Sequence, residues 1–231
     1  MSLFQPNQRY QTQTATRRSA VIDASTQNSV LRKTYTLLSL TLIFAGFTAA
    51  LSMAHSVMIN PILTLVVYIG LLFGVHATSK TPLGIVLTFA LTGFLGWTLG
   101  PILNMYLTQY QNGSQLIMMA LGATGAIFAV LSLIGLNAQR DFSQVGRFCM
   151  AGAVVALIAI VVNLFLHLPA LQLALSVIIA IISGGFILWQ TNAIVRGGET
   201  NHVTATVLLF VSIFNLFLTL LQLLGAVAGR D

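Results

Sequence analysis

RGGETNH (196–202) followed by VTATVLLFVSIFNLFLTLLQLLGAVA (203–228) decides the architecture of this chain. On a helix turning about 100° per residue, Ser212, Asn215, Thr219 and Gln222 fall at i, i+3, i+7 and i+10, so four polar side chains leave one narrow face of an otherwise apolar rod. A polar side chain in hydrocarbon needs a partner. The stripe therefore faces other helices or a wet cavity rather than lipid, and this last segment is expected to be the axis on which the earlier ones pack.

Composition supports a membrane setting for that rod. Of the 231 residues only 6% are charged and 57% are hydrophobic, far from a soluble globular average, so the chain is an integral membrane protein. The net charge of +6 is concentrated: Arg9, Arg17, Arg18, Arg32 and Lys33 against Asp23 already supply much of it before the first apolar run. A basic flank on a polytopic chain is a topology signal rather than a nucleic-acid site. Cys149, the single cysteine, lies in an apolar run and excludes an intrachain disulfide or a CxxC metal site.

Seven apolar runs are predicted to span, at 35–53, 61–77, 82–107, 116–136, 148–166, 168–189 and 203–228, each near the ~20 residues a bilayer requires. The fifth and sixth are nearly continuous, and His167-Leu168-Pro169 reads as a tight hairpin between them. Thr78-Ser79-Lys80-Thr81 makes the second and third close antiparallel neighbours, with Pro82 in a favourable first-turn position. The polar segment 1–27 shows no helical or strand periodicity and is expected to be a flexible tail, giving a division into a tail at 1–29 and a seven-helix membrane domain at 30–231. Arg17-Arg18 ahead of an apolar run raises a cleaved signal peptide, which the length of that run and the spans after it argue against.

Basic residues alternate between the two sides. The tail, Lys80, Arg140 with Arg147, and Arg196 share one side, and Arg230 is the one cation of the other. The positive-inside rule makes the tail cytoplasmic and, with seven spans, places the C-terminus outside.

Chemistry-bearing groups are sparse. There is no HExxH, no GxSxG serine and no aspartate within any run, and His55, His76, His167 and His202 are spread over both sides. A catalytic or metal site is not expected, nor a cofactor or small-molecule substrate, and the carboxylate relay of a coupled transporter is missing. Two readings of the remaining polar groups stay open, a lined polar path or interhelical hydrogen bonding. They are Asn104, Asn163, Gln190 and the stripe on the last run, with Gln190 and Ser212 placed to face one another near the cytoplasmic side. Gly93, Gly96 and Gly100 follow small-residue spacing, which with Pro101 reads as a kinked packing helix or a hinge; Gly122, Gly125, Gly184 and Gly185 read as packing positions too. In the loops, Arg196, Glu199, Arg140 and Asp141 are candidate cytoplasmic contacts for a partner, with Glu199 alternatively capping the last helix and Arg140 and Asp141 alternatively forming a surface ion pair.

GFLGWTLGPILN (93–104), GGETN (197–201) and NLFL (215–218) with Leu220, Leu221 and Gly225 resemble the bacterial members of the Bax inhibitor-1 family, most closely its YccA-like subgroup of FtsH-protease modulators. The resemblance runs from about Val30 to the end. It implies seven helices with the last central and surrounded by the first six, a bacterial inner-membrane location with a periplasmic C-terminus, and a partner: the membrane-anchored, ATP-dependent FtsH protease and its associated membrane complex. It further implies a non-enzymatic regulator that serves as a slow substrate and restrains attack on other membrane proteins, with the N-terminal tail as the handle. Other family members are calcium leak channels gated by a pair of aspartates. The equivalent positions here are Gln190 and Ser212, which cannot titrate as coupled carboxylates do, so the leak activity is not carried over.

Overall fold

The computed structural model describes residues 6–55 and 60–229, with side chains from residue 25 onward. Among the described residues the chain is all α-helix: α1 (Pro6–His55), α2 (Pro61–Thr78), α3 (Pro82–Gln109), α4 (Gly113–Gly135), α5 (Ser143–Leu166), α6 (Pro169–Val195) and α7 (His202–Ala228). All seven contain a stretch long and apolar enough to cross a membrane, so the expected spans are present.

Helix ends follow local chemistry. Proline opens α2, α3 and α6, where a missing N–H costs nothing and φ is already helical. Asn60 caps α2 through Ile62 N (2.9 Å). His167 turns the α5–α6 hairpin with a left-handed φ of 50°, and its N–H closes on Asn163 O at 2.8 Å. After α6, Gly197 takes φ 75°, a left-handed C-terminal stop that glycine adopts without a Cβ penalty.

The first helix departs from expectation. The polar segment read as lacking helical periodicity is helical from Pro6 and runs without a break into the first span. No proline or glycine occurs between Pro6 and Gly46, so a helix anchored by a packed span propagates outward at little cost even where no apolar face guides it. Residues 1–5 and the side chains before Ser25, on which the expectation of a flexible tail rests, lie outside the described residues, as do 56–59, Arg230 and Asp231.

The core gathers on α7. Leu209, Phe210 and Leu221 are almost wholly enclosed, together with Leu38 of α1, Leu91 of α3 and Ile187 of α6. α7 contacts α1, α2, α3, α4 and α6, whereas α5 packs on α6 alone. Five of the six earlier helices thus pack on the last, and α5 stands off it. The short hairpin keeps α5 beside α6, and α5 faces α7 only across the spaces that Leu164 shares with Asn215 and Leu218.

The glycines divide by what lies above them. Gly96 sits against the carbonyl of Ala45 and the hydroxyl of Thr48, Gly93 against the Phe44 ring and Gly100 against Ser52, so α1 and α3 cross at backbone contact. Gly100 is thus a packing position, and Pro101 continues the same helix. Gly184 meets Leu131, and Gly185 meets the Cys149 sulfur. A Cβ at Gly122 or Gly125 would meet nothing within 4 Å and both are exposed; the expectation that they pack within the bundle is overturned, because their face of α4 points outward.

Candidate functional site along the last helix

The polar stripe of α7 is split by its surroundings. Ser212 and Thr219 are buried, while Asn215 and Gln222 are half-buried. The two hydroxyls bond within their own helix, Ser212 Oγ to Leu208 O at 2.8 Å and Thr219 Oγ1 to Asn215 O at 2.8 Å, which is how a Ser or Thr inside an apolar helix removes its own desolvation penalty. Gln222 Oε1 accepts from Ser176 Oγ of α6 at 2.6 Å. Among the described residues the Asn215 amide makes no hydrogen bond, and it opens onto a cavity.

That cavity is part of a groove. A space of about 460 Å³ between α2, α3, α5 and α7 has Val211, Asn215 and Leu218 on its α7 side and Tyr68, Pro101 and Leu164 opposite. Tyr68 and Val211 also line a second space of about 560 Å³ that reaches Thr204 and His76. Asn215 and Leu218 also line a third, of about 480 Å³, bounded by Asn163, His167, Ser176 and Gln222. The three join end to end along Thr204, Leu208, Val211, Asn215, Leu218 and Gln222, a single stripe of α7. The groove exists because α5 stands off α7, leaving the stripe without a helix over it.

Gln190 and Ser212 lie on neighbouring helices but do not pair. Gln190 is 1% exposed and its Nε2 has no partner among the described residues, while the Ser212 hydroxyl is already committed to Leu208. Ser212 lies ten residues into α7, about 15 Å of rise, and Gln190 five residues from the end of α6, about 8 Å. Among the described residues the two side chains make no hydrogen bond to one another. Thr34 Oγ1 and Ser132 Oγ are likewise buried without partners among the described residues.

Asn163 bonds locally, accepting from Leu168 N at 3.1 Å to fasten the hairpin. Asn104 donates to Met53 O at 2.8 Å, tying α3 to the end of α1.

At the opposite end of α7 the basic connections meet. Asn201 caps α7, accepting from Val203 N at 2.9 Å and donating to Ser79 O in the α2–α3 turn at 3.1 Å. Glu199, expected as a cap, instead accepts from Asn201 N at 2.8 Å and holds the residue that does the capping. Asp141 pairs with Arg196 at 3.3 Å, so the expected Arg140–Asp141 pair is replaced by one that joins two loops. The Ser143 side chain, and then its backbone N–H, hold the Asp141 carboxyl below its ordinary pKa, with Arg196 a smaller cause.

Sequence reasoning passed over Asn192. Its amide nitrogen donates to the carbonyls of Gly135, Asn137 and Arg140, each at 3.1 Å, and its oxygen accepts from Phe142 N at 3.3 Å. The one available signal was an asparagine closing an apolar run near a basic loop.

The arrangement defines a polytopic helical membrane protein whose last span carries a partly satisfied polar stripe along an open groove. The chain belongs to the Bax inhibitor-1 family: the family described as Inhibitor of apoptosis-promoting Bax1 matches residues 27–229. It is 49% identical over 208 residues, 88% of this chain and 92% of the relative, to a protein of Escherichia coli strain K12 named Modulator of FtsH protease YccA. The same figures hold for an E. coli O6:H1 protein named Inner membrane protein YccA. An uncharacterised protein of Pseudomonas aeruginosa is 44% identical over 92% of this chain and 96% of its own length.

Proposed function

We propose that this protein is a non-enzymatic regulator in the bacterial inner membrane that binds and modulates the membrane-anchored FtsH protease. The observation that carries the reading is 49% identity, across 92% of its length, to a relative named as a modulator of that protease. The N-terminal segment is the handle, on the cytoplasmic side, and the C-terminus is periplasmic. The clustering of Lys80, Arg140 and Arg196 in connections, with Arg147 in the first turns of α5, at one end of the bundle supports that orientation. The protease engages the segment 1–29, and the apolar domain behind it yields slowly, because every span drawn out exposes about 20 apolar residues. The engaged protein occupies the protease and spares other membrane clients.

The test is co-purification from native membranes through a C-terminal tag, with and without residues 1–24. FtsH retained by the full chain and lost on truncation supports the handle. Retention without those residues moves the contact to the bundle or to the loop around Arg196 and Glu199. No retention by the full chain removes the reading.

A second reading, a weak calcium or proton leak, is favoured by the groove along Asn215 and by the unpartnered Gln190 Nε2. Against it, Asp23, Asp141, Glu199 and Asp231 are the only acids and none lies inside a span. It requires flux in liposomes that Ser212→Leu abolishes; flux that is absent, or indifferent to the substitution, eliminates it.

A further inference from the structure

A different cavity lies at the basic end, on the outer side of α5 and α6. It measures about 800 Å³ and is lined by Ser143, Arg147, Met150, Val154, Trp189 and Arg196, among others. From Ser143 to Val154 it follows α5 for about 16 Å. Its upper part carries two guanidinium groups and its lower part is wholly apolar.

Each part has unused binding capacity. Among the described residues Arg147 makes no hydrogen bond or ion pair, and it stands one turn into α5, where the helix dipole favours an anion. Arg196 is shared with Asp141 at 3.3 Å, but its side chain is still 37% exposed. The Trp189 ring lies directly on Gly146, where a Cβ would come within 2.5 Å of it. Its indole N–H makes no hydrogen bond among the described residues, and an amphipathic indole with a free donor belongs at the headgroup level of a bilayer. Below, Met150 and Val154 are 55% and 56% exposed and form an apolar wall facing lipid.

We propose that this cavity is a binding site for one anionic glycerophospholipid. Arg147 and Arg196 hold the headgroup phosphate, for which a guanidinium fork is suited, the Trp189 N–H donates to the phosphate or glycerol oxygens, and an acyl chain lies along Met150 and Val154. Charge complementarity selects the occupant: two arginines against one carboxylate leave a net positive mouth, and the apolar continuation matches a tail that a soluble anion lacks. Basic pockets between spans at the cytoplasmic leaflet take such headgroups.

Trp189 reports on its own site once the other tryptophan is replaced, so the test uses the full chain carrying Trp97→Phe. The protein is reconstituted in phosphatidylcholine bilayers containing a small fraction of acyl-brominated phosphatidylglycerol or acyl-brominated phosphatidylcholine, and quenching of Trp189 is compared. The brominated phosphatidylglycerol is expected to associate about fivefold more strongly, the effect of one net basic charge near an anionic lipid. Arg147→Gln, which breaks no pair within the protein, should lower that preference by about half or more. Arg147→Lys should keep most of it, and Arg140→Gln, at the same end but outside the cavity, should leave it unchanged. Equal quenching by the two lipids overturns the proposal. So does an equal loss with Arg140→Gln, which would mark a diffuse surface potential, and so does abolition by millimolar inorganic phosphate, which would mark a soluble-anion site.

Discussion

The side-chain amide of Asn192 donates to the carbonyl oxygen of Gly135 at 3.1 Å, crossing from the end of α6 to the end of α4. The same nitrogen reaches two further carbonyls in the loop that follows, so one buried amide satisfies the last carbonyl of α4 and holds the loop after it. Asn192→Ala should destabilise the fold by about 1–3 kcal/mol, the cost of leaving buried polar groups unmade. Limited proteolysis should find the 136–142 connection cut faster in this variant, and an unchanged rate would show that the loop is held by other contacts.

Glycine spacing alone does not rank the glycines, but their neighbours do. Gly96→Ala drives a methyl into the Ala45 carbonyl and the Thr48 hydroxyl, and overpacking of this kind costs about 1–3 kcal/mol. Gly122→Ala meets nothing and should be neutral or stabilising by up to about 1 kcal/mol, the helix propensity difference. Thermal unfolding in mild detergent should fall for Gly96→Ala and stay level or rise for Gly122→Ala.

The stripe on α7 predicts a contrast between two amides. Ser176 and Gln222 are joined at 2.6 Å, and a double-mutant cycle with Ser176→Ala and Gln222→Leu should give a coupling of about 0.6 kcal/mol, the average for an interhelical bond in a membrane. Asn215→Leu removes no hydrogen bond among the described residues and should cost nothing, or stabilise by burying apolar surface in the groove. A large loss at Asn215 would mean that its amide has a partner in the membrane.

Asp141 supplies a pH dependence with a definite sign. Its carboxyl titrates below the ordinary 3.8, chiefly because of Ser143, so its contribution to the loop is fully present above 3.8 and is lost as pH falls through the lower folded value. Carboxyl carbon NMR should give a midpoint below 3.8, and Ser143→Ala should raise it more than Arg196→Gln does. Between pH 5 and pH 7, expressed as about two units on the same scale, the Asp141–Arg196 pair should not change.

The spans were legible because hydropathy is a property of a segment and survives any arrangement of its neighbours. The hairpin at His167 and the proline starts were legible for the same reason, since each is decided within a few residues. What escaped depended on direction. Gly96 and Gly122 look alike in sequence, yet one meets a backbone and the other meets nothing. Asn215, singled out for its place in a stripe, has no hydrogen-bonding partner among the described residues, whereas Asn192, which attracted no notice, organises a loop. Periodicity places Ser212 and Thr219 on one face but does not reveal that each hydroxyl turns back to its own helix. The position of α5 was hidden as well, because a short hairpin fixes its neighbour α6 without stating which side of α6 it takes.

The crossing of α1 on α3 acquires a mechanical meaning from its place in the chain. A pull applied at the N-terminus is borne first by α1, and α1 is the helix whose backbone is locked against α3 at Gly96 and Gly100 and tied to α7 through the Thr206 hydroxyl and the Thr34 carbonyl at 3.2 Å. The hairpin of α5 and α6, whose first helix makes a close backbone approach only to the second among the described residues, lies far down the line of force. The fold thus sets its tightest joint first against any pull from the N-terminus and leaves its most loosely held helix to the last steps.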